Sequence, residues 1–437
     1  MNGGGQPVVL WGRAGSMPAN FVAVGDGVGF SMAQQVTYMS TPPAVANWMG
    51  ADLTAVGNEV WACYKVIPEH MMPMYARRSL DGGYTWGDTV RISNDAFTRF
   101  PSIAIGTAAE PVVQYMQFDD GFTNARHVTT RMSGGVFVPS VPVSAPFAPG
   151  QVCDCCPGQL VADANLVVPL YRNAGPNIRV IYGAASTDGG ETYPTGGLLD
   201  NSNWNIAACP ASGPDGYIAG DSVRYVWMTA AVNGTKVRMS SAALSDFALG
   251  AWVLPHPGLP NSAVQNFPRI AGSGDTLGVV WEQNIGGDFN ILFSWSTTGI
   301  HGLSTPDTVN TSLPGQQRTP DIAYADGAFH IVWSDEASDL VNYRIATLSA
   351  TTGIAGPVAF TAFNAWPVPA TTTLHVELTD GTRATLRLFD AAGHCVLTAF
   401  GGSQQLDLGS ISPGAYVLHA SDAQGRSLGQ VPVQLVR

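Results

Sequence analysis

Charge is scarce in this 437-residue chain: Asp, Glu, Lys and Arg make up 12% of it, against 45% hydrophobic residues. Positive charge is the scarcer sign, with 20 Lys and Arg against 32 Asp and Glu and a net charge of −12. The sequence-independent attraction to phosphate that drives nucleic-acid binding is therefore missing, and anionic membranes are equally poor partners. Long apolar runs are lacking too. No stretch approaches the roughly eighteen uncharged apolar residues of a spanning helix, so no transmembrane segment is expected and the chain reads as soluble. The opening Met1-Asn2-Gly3-Gly4-Gly5 has neither a basic leader nor an apolar core, so export would imply a signal peptide already removed from this sequence.

What the chain does have is 50 Gly and 30 Pro, a composition of short strands and tight turns that reads as all-β. An internal repeat fixes the class more closely. An apolar strand ending in an aromatic recurs at Trp61, Tyr115, Tyr171, Trp227, Trp281 and Trp333, at spacings of 54, 56, 56, 54 and 52 residues. Pro101, Pro157, Pro214, Pro268 and Pro320 stand thirteen or fourteen residues before the last five and are expected to open the preceding strand. A unit of this length holds four short strands and cannot bury both of its faces alone, so the units must pack around an axis. Six blades are expected, with the N-terminal strands completing the ring; Val8-Val9-Leu10-Trp11, 50 residues before Trp61, leaves seven possible.

Two hairpins share one pattern: Ser79-Leu80-Asp81-Gly82-Gly83-Tyr84-Thr85-Trp86 and Ser186-Thr187-Asp188-Gly189-Gly190-Glu191-Thr192-Tyr193, with Arg131-Met132-Ser133-Gly134-Gly135 as a decayed third copy. The Asp carboxylate accepts backbone N–H groups across the turn, Gly supplies positive φ and the aromatic packs back between sheets, which makes this a folding device. The boxes resemble the bacterial neuraminidase repeat, S-x-D-x-G-x-T-W, and imply a sialidase-like β-propeller, a statement about fold and not about activity. Residues 150 to 215, with Cys153-Asp154-Cys155-Cys156-Pro157, Tyr171-Arg172, the second box, Trp204 and Cys209-Pro210, also resemble uncharacterised secreted sialidase-like proteins that carry this cysteine cluster.

The period stops near residue 362, which divides the chain into a propeller over 1–361 and a C-terminal domain over 362–437. Alternating apolar residues in His375-Val-Glu-Leu, Ala384-Thr-Leu-Arg-Leu and Tyr416-Val-Leu-His mark half-buried strands of a small immunoglobulin-like β-sandwich. Together with Ser412-Pro413-Gly414-Ala415-Tyr416, this ordering resembles the C-terminal sorting domain of the type IX secretion system of Bacteroidetes, although Val368 stands where that family usually has Asn. A generic immunoglobulin-like appendage is the alternative. The resemblance implies an extracellular or outer-membrane surface location and the type IX machinery as a partner.

Export would make disulfides the default for the six cysteines. The cluster of Cys153, Cys155 and Cys156 is expected to pair with Cys209, with a vicinal bond inside the cluster as one option. A thiolate metal site for zinc or copper is the alternative cofactor reading, although no His stands near in sequence to complete it. Cys63 and Cys395 lie in strand-like text and are expected to be buried. His70-Met71-Met72-Pro73-Met74 offers soft copper ligands, but reads better as an apolar loop between strands.

The sialidase resemblance implies three arginines on a substrate carboxylate, a Tyr and Glu as nucleophile pair and an Asp as acid/base. Arg99 and Arg318, two residues ahead of Pro101 and Pro320, and Arg172 are the arginine candidates, with Arg269 as a further one. Asp119 or Asp120 would be the acid/base, and Glu282 with a tyrosine such as Tyr343 the nucleophile pair. The bland alternative is that these arginines pair with carboxylates across blade edges. Three functions follow: recognition of a glycan or surface protein at a cationic, aromatic-lined channel mouth, hydrolysis of an acidic sugar, or self-assembly on the cell surface through exposed blade edges.

Overall fold

The computed structural model describes every residue except 107–109, 312–314, 349–362, 379–382, 391–393, 423–426 and 437. Among the described residues there is no helix, and none is therefore long and apolar enough to cross a membrane. The chain divides into two compact units, Met1–Leu348 and Ser349–Arg437. The boundary read from the sequence at 361/362 lies outside the described residues.

The first unit is a β-propeller whose described residues form seven sheets, each an antiparallel meander of consecutive strands. Sheet 1 holds β1 (Val8–Arg13), β2 (Ala19–Val24) and β3 (Gln34–Gln35), and sheet 2 holds β4 (Asp52–Val56), β5 (Glu59–Lys65), β6 (Met74–Ser79) and β7 (Thr89–Ser93). Sheet 3 runs from β8 (Thr98–Ile105) through β9 (Pro111–Asp119) and β10 (Thr123–Ser133) to β11 (Val136–Phe137) and β12 (Val141–Pro142). Sheet 4 comprises β13 (Gln159–Asp163), β14 (Leu166–Arg172), β15 (Ile181–Ala185) and β16 (Thr195–Leu198), and sheet 5 β17 (Asp215–Ala219), β18 (Ser222–Thr229) and β19 (Lys236–Ala243). Sheet 6 has β20 (Val264–Ser273), β21 (Thr276–Ile285), β22 (Asp288–Ser296) and β23 (Asp307–Thr308), and sheet 7 has β24 (Gln317–Ala325), β25 (Ala328–Asp335) and β26 (Leu340–Thr347).

The six repeat aromatics fall on the second strands, β5, β9, β14, β18, β21 and β25, and all are buried, from 0% exposed for Tyr171 and Trp281 to 7% for Trp333. Each wedges between neighbouring sheets; Trp227, for example, shares a cluster with Leu170 and Ile181 of sheet 4. Burial of one such ring contributes roughly 2–3 kcal/mol. Trp11 is different, since it lies on the first strand of its sheet.

Both Asp boxes form as expected. Ser79 Oγ donates to Asp81 Oδ1 at 2.7 Å, and the Gly83 amide donates to Ser79 Oγ at 2.9 Å. The Thr85 amide and hydroxyl bind the two Asp81 oxygens at 2.8 and 2.6 Å. The second box repeats each bond around Asp188. A Cβ on Gly83 would meet Val8 and Val24 of sheet 1, and one on Gly190 would meet Val112 of sheet 3. Trp86 packs with Val22 of sheet 1, and Tyr193 with Val112 of sheet 3. Sheet 1 thus stands to sheet 2 as sheet 3 stands to sheet 4. The decayed copy keeps positive φ at Gly134 and Gly135.

Only Pro157 and Pro214 precede their strands; Pro101, Pro268 and Pro320 lie inside β8, β20 and β24. Each of these three follows a residue of positive φ, Phe100 (53°), Phe267 (46°) and Thr319 (47°), where the pairing register shifts. The strand begins earlier than the proline because a bulge leaves the imide without a ladder bond to make. Sheets 1 and 7 face each other across cavities of about 310 and 850 Å³. No strand pairing joins them among the described residues; the Phe30 ring meets Tyr343 edge-on at 5.0 Å.

The second unit is a β-sandwich of two sheets. One has the order β27 (Phe363–Trp366), β28 (Thr373–Leu378), β31 (Gln404–Asp407), and the other β30 (Cys395–Gly401), β29 (Ala384–Asp390), β32 (Gly414–Ser421), β33 (Ser427–Leu435). Leu374 and Val376 from one sheet meet Leu386, Leu388 and Leu418 from the other, on the alternation visible in the sequence.

Candidate functional site

The first strands of the seven sheets, or the residues just before them, converge on one axial cavity of about 320 Å³. Leu10 and Trp11 come from β1, Asp52 from β4, Ser102 from β8, Gln159 from β13, Arg269 from β20 and Asp321 from β24, while Ser212 and Gly213 precede β17. Asp215, at the start of β17, lines an adjoining space with Asp52, Gln159, Arg269 and Asp321. Trp48, Phe100, Phe267 and Trp333 add aromatic surface.

Two carboxylates of this wall also latch one sheet to the next. Asp52 accepts from Ser102 Oγ at 2.8 Å and from the Ile103 amide at 2.9 Å, and Asp215 accepts from the Ile270 amide at 2.8 Å. Burial pushes the Asp215 carboxyl up to about 7, against the pull of Arg269 and the Ile270 amide. Burial also raises Asp52, against its bonds to Ile103 and Ser102. Crowding by the walls raises Asp321 despite Arg269, although its side chain is 68% exposed to cavity solvent. Arg269 Nε lies 3.8 Å from Asp321 Oδ1, a loose pair.

The arginines singled out from the sequence lie elsewhere. Arg99 bonds Glu69 of the preceding sheet's β5–β6 loop, with its guanidinium over Phe122 at 4.2 Å. Arg318 donates from Nε to Glu282 Oε2 at 2.6 Å, from sheet 7 to β21 of sheet 6, over the Phe289 ring at 4.1 Å. Both are ion pairs between adjacent sheets, the bland alternative in the sequence reading. Burial raises the Glu282 carboxyl, while Arg318 pulls it back. Arg172 is fully buried and donates to the carbonyls of Ser212, Arg179 and Met228 at 3.0, 2.8 and 2.8 Å. None of the three lines the axial cavity.

Asp120 is exposed in the β9–β10 turn, and Asp119 pairs with Arg126 at 2.8 Å. Tyr343 hydrogen-bonds His330 Nδ1 at 2.6 Å, so Glu282 and Tyr343 have separate partners. The wall is acidic where a cationic mouth was expected: three Asp and one Arg. What the sequence reading missed are the aspartates, and the signal was present. Ser102, Asp215, Arg269 and Asp321 each directly follow one of the repeat prolines.

Cys155 and Cys209 form a disulfide 54 residues long in sequence. The Sγ atoms of Cys153, Cys155 and Cys156 lie within 4.8 Å of one another. With Cys155 in a disulfide the cluster offers two thiols, fewer than the four ligands of a structural zinc site. Cys63 is buried as expected; Cys395 is exposed, because β30 is an edge strand. The methionine stretch lies between β5 and β6, with Met74 buried and Met71 exposed.

Residues 364–434 match the family described as the secretion system C-terminal sorting domain. A search of curated proteins returns no match. Among solved structures, a polysaccharide lyase, PL25 ulvan lyase bound to -[GlcA(1-4)Rha3S]-, aligns with a TM-score of 0.50 at 9% identity, over 80% of this chain and 90% of its own. PorZ, a surface component of the type IX secretion system of Porphyromonas gingivalis, aligns at 0.46 and 13% identity over 99% of this chain and 58% of its own. Trypanosoma rangeli sialidase in complex with DANA aligns at 0.44 and 10% identity over 91% of this chain and 85% of its own. The lyase likeness carries fold alone. The sorting domain implies secretion to the cell surface or beyond it. In sequence order, then, this chain is a β-propeller followed by a secretion system C-terminal sorting domain.

Proposed function

We propose that the propeller, exported through the type IX machinery, recognises a carbohydrate at its axial cavity. The observation that carries this is the convergence of the seven sheets, through their first strands or the residues just before them, on a polar wall of Asp52, Ser102, Gln159, Arg269 and Asp321, with Trp48, Phe267 and Trp333 beside it. Sugar hydroxyls donate to carboxylates and sugar faces stack on aromatic rings. With carboxylates outnumbering guanidinium three to one, the wall suits a neutral or amino sugar better than an acidic one.

Sialoside hydrolysis is the weaker reading, because it wants three guanidinium groups on one carboxylate. Arg99, Arg172 and Arg318 are each committed to other partners. The test is a glycan array followed by calorimetry on the full chain, with a fluorogenic sialoside assay alongside. Binding of a neutral or amino sugar that Asp321→Asn weakens about tenfold or more, the scale of one charge-assisted hydrogen bond, would support the reading. Sialoside turnover, or a hit set confined to acidic glycans, would reject it.

A further inference from the structure

The loop that enters sheet 4 holds two sulfurs closer than unbonded atoms rest. Cys153 Sγ and Cys156 Sγ stand 2.6 Å apart, well inside the roughly 3.5–4.0 Å of ordinary heavy-atom contact. A turn closed by the Cys156 amide on the Cys153 carbonyl at 3.1 Å sets both side chains on one side. Both residues are buried, at 1% and 0% exposed, so nothing outside the loop separates them. Cys155 Sγ, already bonded to Cys209, lies 3.6 Å from Cys153 Sγ. The Cys153 thiol is drawn down by the hydrogen bond from Cys156 and by Arg172, against burial, whereas burial pushes Cys156 up.

We propose that Cys153 and Cys156 form a second disulfide in the exported chain, nested beside Cys155–Cys209. The loop entering sheet 4 is then locked on itself and tied to the loop entering sheet 5. The oxidant is an external disulfide, of a small molecule or of an oxidase. One cysteine thiolate attacks it, forming a mixed disulfide and releasing one external thiol. The other cysteine thiolate then attacks the protein sulfur of that mixed disulfide and expels the second external thiol. Two protein thiols become one disulfide, and the external disulfide takes up both electrons and both protons. Burial of the pair requires that this exchange precede final packing.

The test is carried out on the full chain from an oxidising compartment, denatured in excess alkylating agent without reductant, then mapped by peptide mass spectrometry with fragmentation between Cys155 and Cys156. Alkylation is expected at Cys63 and Cys395 alone, two sites where a chain with Cys153 and Cys156 reduced would show four. Alkylated Cys153 and Cys156, a Cys153–Cys209 cross-link, or one zinc bound per chain through these thiols would each overturn the proposal. The outcome does not depend on whether the axial cavity binds a sugar.

Discussion

Asp188 and Asp215 lie 27 residues apart in sequence, one in a surface hairpin and one on the axial wall, and their acidities move in opposite directions. In the hairpin, desolvation is the largest single influence and pushes Asp188 upward, but bonds from Ser186, Thr192 and the amides of Thr192 and Glu191 together outweigh it and bring the carboxyl to about 2. On the wall, the Ile270 amide and Arg269 fail to offset burial, and Asp215 reaches about 7. The same side chain is a turn clamp where donors are plentiful and water is near, and a proton reservoir where the walls close in. Position in the blade, more than residue type, decides the chemistry.

The largest loss is expected where a buried carboxylate is held chiefly by one guanidinium. Arg318→Met leaves Glu282, 3% exposed, without its guanidinium, and should cost about 3 kcal/mol in denaturant unfolding at pH 7. That deficit should narrow on acidification as Glu282 protonates; a deficit that stays flat with pH would assign the loss to packing on Phe289.

Asp215→Asn sharpens the contrast at the axis. Because the folded carboxyl is raised above its unfolded value, its protonation stabilises the fold below about pH 4, and this contribution is lost as pH rises through about 7. Asn keeps an acceptor for the Ile270 amide but never charges, so the variant should match the parent near pH 4 and exceed it by about 2 kcal/mol at pH 8. Equal stability at both pH values would mean that Asp215 titrates as a solvated group.

The smallest effect belongs to the hairpin. Asp188→Ala should cost about 1 kcal/mol at neutral pH, the exposed carboxylate's bonds being discounted for solvent screening. The folded carboxyl is depressed here, so the loss should be complete above about pH 4 and fade as pH falls through about 2. Thermal unfolding across that range reads it directly.

Much of the propeller was legible because its signals repeat. Six second-strand aromatics and two complete boxes announce themselves at a fixed period, and each encodes a contact made within its own module or an adjacent one. Sheet 1 was visible only as an extra unit, for a physical reason: its tryptophan, Trp11, sits on the first strand, so it falls out of phase with a register taken from second-strand aromatics. Asp215 and Asp321 were marked by the prolines before them but Asp52 was not, and that the three share one wall was illegible because single residues on separate sheets meet only when the sheets are arranged about an axis. Arg99 and Arg318 were visible, but Glu69 and Glu282, which claim them, belong to the neighbouring sheet and carry no motif.

Sheet 1 is made entirely of the chain's first residues and sheet 7 entirely of its own run, so among the described residues no ladder is shared between the two ends of the propeller. Elsewhere a latch such as Asp52 to Ile103 couples one module to the next through backbone. At this junction the described contacts include the Phe30 and Tyr343 rings and a bond from Asn47 to Glu336 at 3.1 Å, beside two cavities that β1 and sheet 7 both line. Among the described residues, parting these two sheets strips away side-chain contacts but no carboxylate-to-backbone latch of the kind that ties sheet 2 to sheet 3, which makes this junction the clasp of the ring.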